Sequence, residues 1–186
     1  MISETTRIFN SAIGASAIAA SFELGLFDEI HRSDPLDIEV FCTERGLSTW
    51  SIVSILQVLH RFDIVEVSAD GKAATRATEF DDAFANKGYF MWLMQGYGNL
   101  LQHLATIVKE GNCTTDGIGR DGKYIAMAGR DYGAHFVDPH FIKALNEEPF
   151  TVAADLGCGS AQRLIDLARA RPDVRGVGGE VNKGAV

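Results

Sequence analysis

The sequence is poor in cysteine and in basic side chains, and both shortages exclude classes of protein. Its three cysteines in 186 residues stand far apart and form no C-x-x-C pair. This argues against a disulfide framework and a zinc site, and it fits a reducing cytoplasm. Lys and Arg number 17 against 25 Asp and Glu, for a formal net charge of −8. Because an acidic surface repels phosphate backbones, we expect no nucleic-acid partner.

The sequence also lacks an apolar run long enough to cross a bilayer. The most apolar stretch, residues 11–27, carries Glu23, and it follows Glu4 with no basic segment before it. It is therefore too short for a membrane span and unlike a secretory signal. We expect a buried helix here and no membrane association.

The stretch 151–180 carries the clearest structural signal. A short apolar run precedes a glycine-rich turn, apolar residues then recur at helical spacing, and Pro172 stops the helix. The predicted elements are a buried parallel strand, the turn, a helix and a second strand, over Val152–Ala154, Asp155–Ala161, Ala161–Arg171 and Val174–Val181. This order is half of a doubly wound nucleotide-binding fold.

The residue types in the turn are those that a cofactor site needs. Gly157 and Gly159 let the backbone turn tightly and approach a ligand closely. N–H groups at the start of the following helix favour polar or anionic ligand groups. Glu180, at the tip of the second strand, is placed to accept hydrogen bonds from ribose hydroxyls. The predicted cofactor-binding residues are Asp155, Gly157, Gly159, Ser160 and Glu180.

The turn departs from the dinucleotide fingerprint G-x-G-x-x-G, because position 162 is Gln and Asp155 stands two residues before the first glycine. The segment DLGCGSA resembles motif I of the class I S-adenosylmethionine-dependent methyltransferases, with Ala161 at the usual third glycine and Glu180 where Asp is commoner. The resemblance implies that Asp155 sets the loop near the amino-acid end of the cofactor and that Glu180 holds the ribose. A nicotinamide dehydrogenase and a glycine turn without a ligand are the alternatives.

The first half of the chain predicts helices followed by a hairpin. The helices run over 5–24, 26–30 and 37–45 and from a cap at Ser48 or Thr49, and the hairpin strands over 63–67 and 72–78. Helix, helix, hairpin predicts a winged helix, which raises DNA binding as a rival function. The expected recognition helix offers only His60 and Arg61 at its end, so we expect a dimerisation module.

An aromatic-rich helix is predicted between the two halves. It covers 89–110 and precedes a polar loop over 111–117 and helices from about Tyr124 to His135 and from Asp138. The predicted division of the chain therefore has three parts. These are a winged-helix dimerisation domain, a helical region that lines a substrate pocket between domains, and the first strand, helix and strand of a methyltransferase domain, over 1–85, 86–148 and 149–186.

Five segments carry a resemblance over essentially the whole chain: IFNSAIGASAIAASFELGLFDEI, MWLMQGYGNLL, GRD, VDPHF and ADLGCGSAQRLIDLARARPDVRGVG. Together they resemble the bacterial natural-product C-methyltransferases that act on α-keto acids of the phenylpyruvate type. The resemblance implies a mostly helical, winged-helix dimerisation domain followed by a Rossmann-like α/β methyltransferase domain. It also implies a cytoplasmic homodimer that transfers a methyl group from S-adenosylmethionine to the β-carbon of an α-keto acid in antibiotic or other secondary-metabolite biosynthesis.

The same resemblance implies three substrate-binding residues. Trp92 and Arg120 match positions that contact the keto acid, and the guanidinium can clamp a carboxylate with two parallel hydrogen bonds. Tyr97 replaces a small residue of the family pocket, so the substrate is expected to differ in size or shape. A surface ion pair with Asp121 is the alternative interpretation of Arg120.

The resemblance also implies iron, bound through histidine and acidic residues downstream of motif I. Those positions would lie beyond Val186, so an iron cofactor is predicted only through residues absent from this chain. His135, Asp138 and His140 are close in sequence, but they belong to a helix end and an Asp-Pro cap. We therefore predict no metal site here, and the group that activates the acceptor is unassigned.

The number of strands leaves the organisation of the protein open. A doubly wound sheet needs about five or more strands, and this sequence predicts two in the cofactor half. The first of them would have an unpaired apolar edge. Three explanations remain: a shortened or proteolysed product, a short subunit completed by a second chain, and a non-catalytic dimerisation or partner subunit. O-methylation of a small molecule is the enzymatic alternative to C-methylation.

Overall fold

The computed structural model describes residues 2–110, 117–147 and 149–181. The chain forms two compact units, Met1–Met94 and Gln95–Val186. The predicted three-part division stays a prediction, and one continuous helix, Phe80–Met91, runs across its first boundary at 85–86.

The first unit contains five α-helices and three short strands among the described residues. In chain order they are α1 Glu4–Glu23, α2 Leu26–Arg32, β1 Leu36–Asp37, α3 Ile38–Arg45, α4 Thr49–His60, β2 Val65–Val67, β3 Ala73–Arg76 and α5 Phe80–Met91. Local signals set most of these limits. The Asp37 carboxylate accepts from the Val40 N–H at 2.9 Å, and the left-handed Gly46 ends α3. Ser48 caps α4, as predicted.

The predicted burial of α1 is confirmed only for its second half. Ala17, Ile18 and Ala19 are buried, whereas Ile8 and Phe9 near the start of the helix are 66% and 67% exposed. The second half packs against α4 and α5. Within this single chain the first half has no comparable cover among the described residues. The sequence predicts burial of this helix either in a core or in a subunit interface, and for the first half the interface stays a prediction.

One hydrophobic core lies in the first unit. It is built from α1 to α5 and the small sheet, and its fully buried members include Leu26, Phe27, Ile30, Ile38, Leu56, Leu59 and Val65. The predicted hairpin is present as β2 and β3, which pair antiparallel with Val65 opposite Arg76. The sequence prediction missed β1, whose Leu36 and Asp37 pair with the other edge of β3 and give the order β1-β3-β2.

The single helix predicted over 89–110 is wrong. The chain leaves α5 at Met91, makes a π-helical turn over Trp92–Gly96, and continues as α6 Gly98–Gln102 and α7 Leu104–Glu110. The break has a tertiary cause within the second unit. The carbonyl of Gly96 accepts from the Asp121 N–H at 2.9 Å, and a Cβ on Gly96 would lie 2.9 Å from the Ile125 side chain. Of the predicted loop over 111–117, residues 111–116 lie outside the described residues.

The rest of the second unit consists of α8 Gly122–Tyr132, a π-helical turn Gly133–Val137, α9 Asp138–Asn146, β4 Val152–Leu156, α10 Gln162–Ala170 and β5 Arg175–Gly179. Asp121 caps α8 by accepting from the N–H groups of Lys123 and Tyr124. This cap starts the helix two residues before the predicted Tyr124. The helix predicted from Asp138 is confirmed as α9, with Pro139 in its first turn.

The strand, turn, helix and strand of the second unit are confirmed, with β4 and β5 parallel and Ala154 opposite Val177. The unpaired apolar edge predicted for β4 in this chain is present, and the strand is not buried here, since Val152 is 50% exposed and Leu156 is 89% exposed. The physical reason is that burial of a parallel strand needs neighbours on both edges and cover on both faces. Among the described residues, β4 pairs with β5 alone.

One further observation concerns membranes. No single helix in the described ranges is both long and apolar enough to span a bilayer. Helices α1 and α2 taken together have the length and apolar composition of a span, but the chain bends by 71° between them.

Candidate functional site

The turn after β4 is built from residues in left-handed backbone conformations. Gly157 has φ +82°, Gly159 has φ +53° and Ala161 has φ +56°. Glycine adopts this region freely, whereas alanine is strained there. Ala161 is also the N-cap of α10. The structure therefore explains the third glycine of the motif, because position 161 is where the backbone again turns left-handed before the helix begins.

Three successive N–H groups of this turn are held by the end of β5. Those of Gly157 and Cys158 donate to the Gly179 carbonyl at 2.7 and 3.1 Å. That of Gly159 donates to Oε2 of Glu180 at 3.0 Å. The bonds bring the acid at the tip of β5 directly against the turn, although 21 positions separate Glu180 from Gly159. We call these three hydrogen bonds the turn clasp.

The space in front of Gly157 is open. A Cβ built on Gly157 would meet no described atom within 4 Å, whereas one on Gly178, under the turn, would lie 2.8 Å from the Cys158 sulfur. The first position therefore leaves open space beside the backbone, which we call the cradle, and the second is filled by the protein itself. Cys158 is half-buried and packs against β5, so its place is structural.

The other two predicted residues of the group flank the turn. Asp155 lies near the end of β4, opposite Gly178 in the register, and it is half-buried. Ser160 is exposed between Gly159 and Ala161. All five predicted cofactor-binding residues thus lie at the carboxyl ends of two adjacent parallel strands, which is where open α/β sheets bind ligands.

Tyr97 and Arg120, two of the predicted substrate residues, are also brought together. The Arg120 guanidinium donates from Nη1 to the Tyr97 hydroxyl at 3.3 Å, and it lies 5.8 Å from the centre of the ring. The hydrogen bond to the Tyr97 hydroxyl raises the pKa of Arg120 above its ordinary value. A guanidinium is charged at neutral pH with or without this bond. Asp121, the alternative partner of Arg120, uses its carboxylate to cap α8.

Arg120 stands at an open cavity of about 400 Å³. Gln95, Asn99 and the segment Gly117–Asp121 line it. The Asn99 amide fixes one wall by donating to the Gly117 carbonyl at 2.8 Å. The cavity therefore offers a permanent positive charge beside amide side chains. Trp92, the third predicted substrate residue, belongs to the first unit, where it opens the π-helical turn and is 38% exposed.

Metal ligands are not gathered anywhere in the described ranges, where no group of three or more His, Cys, Asp and Glu side chains could hold an ion. The residues that invite comparison with a metal site have other contacts. The Asp138 carboxylate accepts from Nε of Arg163 at 2.8 Å, and Nδ1 of His135 contacts the Asp131 carbonyl at 2.8 Å.

Sequence reasoning missed the residues that anchor α10. Arg163 reaches from α10 to Asp138 of α9. Arg171, just after α10, donates to the carbonyls of Leu145 and Phe150. It missed the role of the glycines in β5 as well, since Gly176 and Gly178 leave room for Leu164 of α10. The repeated glycines of RGVGG were the available signal for close packing between helix and strand.

No protein-family model matches the chain. Among curated proteins, Methyltransferase ungE' of Aspergillus campestris (strain IBT 28561) is 30% identical over 177 residues, which are 94% of this chain and 51% of the relative. The chain thus spans about half the length of the curated relative that it matches.

Three solved structures have a similar fold. Human N-acetylserotonin methyltransferase in complex with SAM has a TM-score of 0.63 at 18% identity, over 95% of this chain and 59% of that one. PigF with SAH has a TM-score of 0.58 at 17% identity, over 98% and 60%. The mitomycin 7-O-methyltransferase MmcR has a TM-score of 0.54 at 14% identity, over 95% and 57%. These structures confirm the predicted methyltransferase fold, and the curated relative supports the class predicted from the sequence, class I S-adenosylmethionine-dependent methyltransferase.

Proposed function

We propose that the protein takes part in S-adenosylmethionine-dependent methylation of a small molecule, and that the turn after β4 binds the cofactor. The observation that carries this proposal is the open cradle at Gly157, closed on one side by the turn clasp and flanked by the Glu180 carboxylate. The homologous methyltransferase of Aspergillus campestris supports it.

The residues present fit this cofactor. A glycine with free space before it admits the close approach of a ligand, and a carboxylate at the neighbouring strand end matches a ribose diol. S-adenosylmethionine supplies a methyl group on a positively charged sulfur. The role of this chain is to bind and orient: Asp155 sets the loop, Gly157 and Gly159 admit the ligand, and Glu180 accepts from its ribose hydroxyls. Positioning of the two reactants is the main source of rate enhancement in such a transfer.

The acceptor that we propose first is an α-keto acid, methylated at its β-carbon. Arg120 supports this choice, because a charged guanidinium at an open cavity is suited to hold a carboxylate with two hydrogen bonds. Tyr97 would orient the guanidinium through its hydrogen bond to Arg120. The step forms a carbon–carbon bond, breaks the bond between the methyl carbon and sulfur, and releases one proton from the acceptor. No described residue of this chain is assigned to take that proton.

O-methylation of a small molecule is the second candidate. The name of one protein with a similar fold, mitomycin 7-O-methyltransferase, supports it. The two chemistries are distinguished by an assay with labelled S-adenosylmethionine. Phenylpyruvate and a phenol are offered in turn as the acceptor, and the position of the label in the product shows whether a carbon or an oxygen atom was methylated.

The assembly is also a proposal. The exposed apolar side chains at the start of α1, among them Ile8 and Phe9, support a homodimer through the N-terminal unit. The order α3, α4, β2, β3 supports a winged-helix module. A cytoplasmic location agrees with the sparse cysteines. The alternative in which the protein is not itself an enzyme is a non-catalytic dimerisation or partner subunit.

Calorimetric titration of the full chain with S-adenosylhomocysteine, with NADH as the control ligand, tests the cofactor assignment. We expect S-adenosylhomocysteine alone to bind. Gly157→Ala should abolish this binding, since the added Cβ enters the cradle. Gly71→Ala is the matched control, because Gly71 has φ +70°, equally free space and a place in the distant hairpin turn. Binding of NADH, or equal loss in both variants, would overturn the assignment.

A further inference from the structure

A partly buried ion pair joins the start of α10 to the start of α9. Nε of Arg163 donates to Oδ1 of Asp138 at 2.8 Å, and the side chain of Asp138 is only 16% exposed. Arg163 is the second residue of α10, and Asp138 is the first residue of α9. A hydrogen bond between two charged groups at this distance is among the stronger contacts that a side chain makes. The pair therefore ties together two helices whose bonded residues are 25 positions apart in the chain.

The surroundings of the ion pair leave space for it. A Cβ on Gly133, in the π-helical turn before α9, would lie 3.2 and 3.4 Å from the two carboxylate oxygens of Asp138 and 3.5 Å from Nη2 of Arg163. Gly133 has φ −55°, which any residue can adopt, so this glycine provides room and not backbone freedom. Phe141 of α9 lies against the guanidinium, whose carbon is 5.2 Å from the ring centre.

The start of α10 has little other support from side chains. Its N-cap, Ala161, is left-handed and makes no side-chain capping hydrogen bond. A strained residue keeps such a conformation only where the contacts around it hold it. The turn clasp acts on Gly157 to Gly159, before Ala161, and the ion pair acts on Arg163, two residues after it. The clasp and the ion pair thus hold the turn from its two ends.

The other two arginines of this region do not hold the turn. Arg169 contacts Asp166 at 3.3 Å within α10 itself, and its side chain is 74% exposed. Arg171 follows α10 and donates to the carbonyls of Leu145 and Phe150, so it fixes the far end of the helix. Arg163 is therefore the arginine placed to fix the end of α10 that adjoins the turn.

We propose that Arg163 is a positioning residue of the cofactor site. Its ion pair with Asp138 holds the first turn of α10, and with it Ala161 and the N–H groups of Gly157 and Gly159, in the geometry that receives the cofactor. Arg163 acts through the backbone and does not touch the ligand. The proposal rests on the proposed function for the identity of the ligand and on the ion pair for its geometry.

The first test measures the affinity of the full 186-residue chain for S-adenosylhomocysteine by calorimetry. Arg163→Gln removes the charge and the Nε–H donor, and it should weaken binding by about tenfold. Arg163→Lys keeps a positive charge and should lose less. Arg169→Gln is the matched control, because it removes an arginine from the same helix whose ion pair is exposed. It should change the affinity by less than about twofold.

A double-mutant cycle shows whether the two side chains act as one contact. Asp138→Asn alone should weaken the binding of S-adenosylhomocysteine about as much as Arg163→Gln alone. The double variant should lose little more than either single variant, since both changes break the same bond. Urea denaturation of the four proteins checks that each is folded under the conditions of the titration.

The second test needs no ligand, and a role limited to stability would not affect it. In Arg163→Gln the amide of Gly159 should exchange faster and its NMR signal should shift, whereas Arg169→Gln should leave both unchanged. Amides in the ladder between β4 and β5, such as that of Val177, serve as the reference. Global unfolding would speed exchange at the reference amides as well, so a change confined to the turn reports its geometry.

Three results would overturn the proposal. The first is a loss of affinity that is equal in Arg163→Gln and Arg169→Gln, or absent from both. The second is a double variant whose loss is the sum of the two single losses. The third is an unchanged Gly159 amide in both Arg163→Gln and Asp138→Asn. Failure of the unaltered chain to bind S-adenosylhomocysteine would overturn the cofactor assignment, and the amide measurements would still decide whether the ion pair positions the turn.

Discussion

Glu180 has two roles at the scale of single residues. Its carboxylate holds the Gly159 N–H at 3.0 Å, and the same group is the proposed acceptor for ribose hydroxyls. A hydrogen bond to a charged group contributes about 1.5–3 kcal/mol. The residue proposed to recognise the cofactor therefore also shapes the turn that would receive it.

Two substitutions separate these roles of Glu180. Glu180→Ala should lower the affinity for S-adenosylhomocysteine by about tenfold to a hundredfold, and it should speed amide exchange at Gly159, because the turn clasp loses one bond. Glu180→Gln keeps an oxygen acceptor and should preserve slow exchange at Gly159 while lowering the affinity less. Titration and amide exchange measured by NMR give the two readouts. Fast exchange in both variants would show that charge, and not geometry, holds the turn.

Replacement of Ala161 by glycine should stabilise the second unit. A left-handed alanine costs about 1–2 kcal/mol, and glycine adds about 0.4–1 kcal/mol of unfolded-state entropy. Ala161→Gly should therefore raise the free energy of unfolding of the second unit by about 0.5–1 kcal/mol. Ala168→Gly, inside α10 and exposed, should lower it by about 1 kcal/mol. Urea denaturation measures both, and effects of the same sign would contradict this account of position 161.

At the scale of elements, Gly14 lets α1 pack against the chain that follows α4. A Cβ at Gly14 would lie 2.7 Å from Cε2 of Phe62. Helix propensity favours alanine by about 1 kcal/mol, but overpacking costs about 1–3 kcal/mol. We expect Gly14→Ala to lower the free energy of unfolding by about 1 kcal/mol. In a Phe62→Leu background the same change should be neutral or stabilising, and thermal and urea denaturation of the four proteins test this coupling.

Elements fixed by local signals could be predicted from the sequence, and those fixed by distant contacts could not. Four elements have an end that local signals predicted to within one or two residues. The signals are the cap at Asp37 for α3, the cap at Ser48 for α4, the glycine turn for β4 and Pro172 for α10. The break in the helix predicted over 89–110 depends on contacts of Gly96 with Asp121 and Ile125, which lie in another helix region. The strand β1, only two residues long, exists because β3 offers it an edge.

The same division applies to the candidate site. The glycines and Glu180 could be singled out because the spacing of the motif carries them. The turn clasp could not, because it depends on how far β5 extends past the turn. The apolar run of β4 predicts a strand suited to burial, and its exposure here follows from the small number of strands that pair with it.

At the scale of the whole molecule, the two units differ in how much apolar surface they bury. Of the buried hydrophobic side chains in the described residues, Ala128, Leu167 and Val174 lie in the second unit and all the others in the first. Stability follows apolar burial, so the first unit should hold most of it.

Hydrogen exchange of the full chain tests this contrast. Amides of α1, α4 and α5 should exchange slowly, with opening free energies near the global value, whereas those of β4 and β5 should exchange much faster. Equal protection in the two units would show that the second unit is stabilised by something other than its buried side chains.

The turn clasp also has a consequence for synthesis on the ribosome. Gly159 leaves the exit tunnel 21 residues ahead of Glu180, whose carboxylate holds its N–H. Gly157 and Cys158 likewise emerge before Gly179, their acceptor. The nascent chain therefore exposes the glycine loop without its acceptors until Gly179 and Glu180 have also left the tunnel.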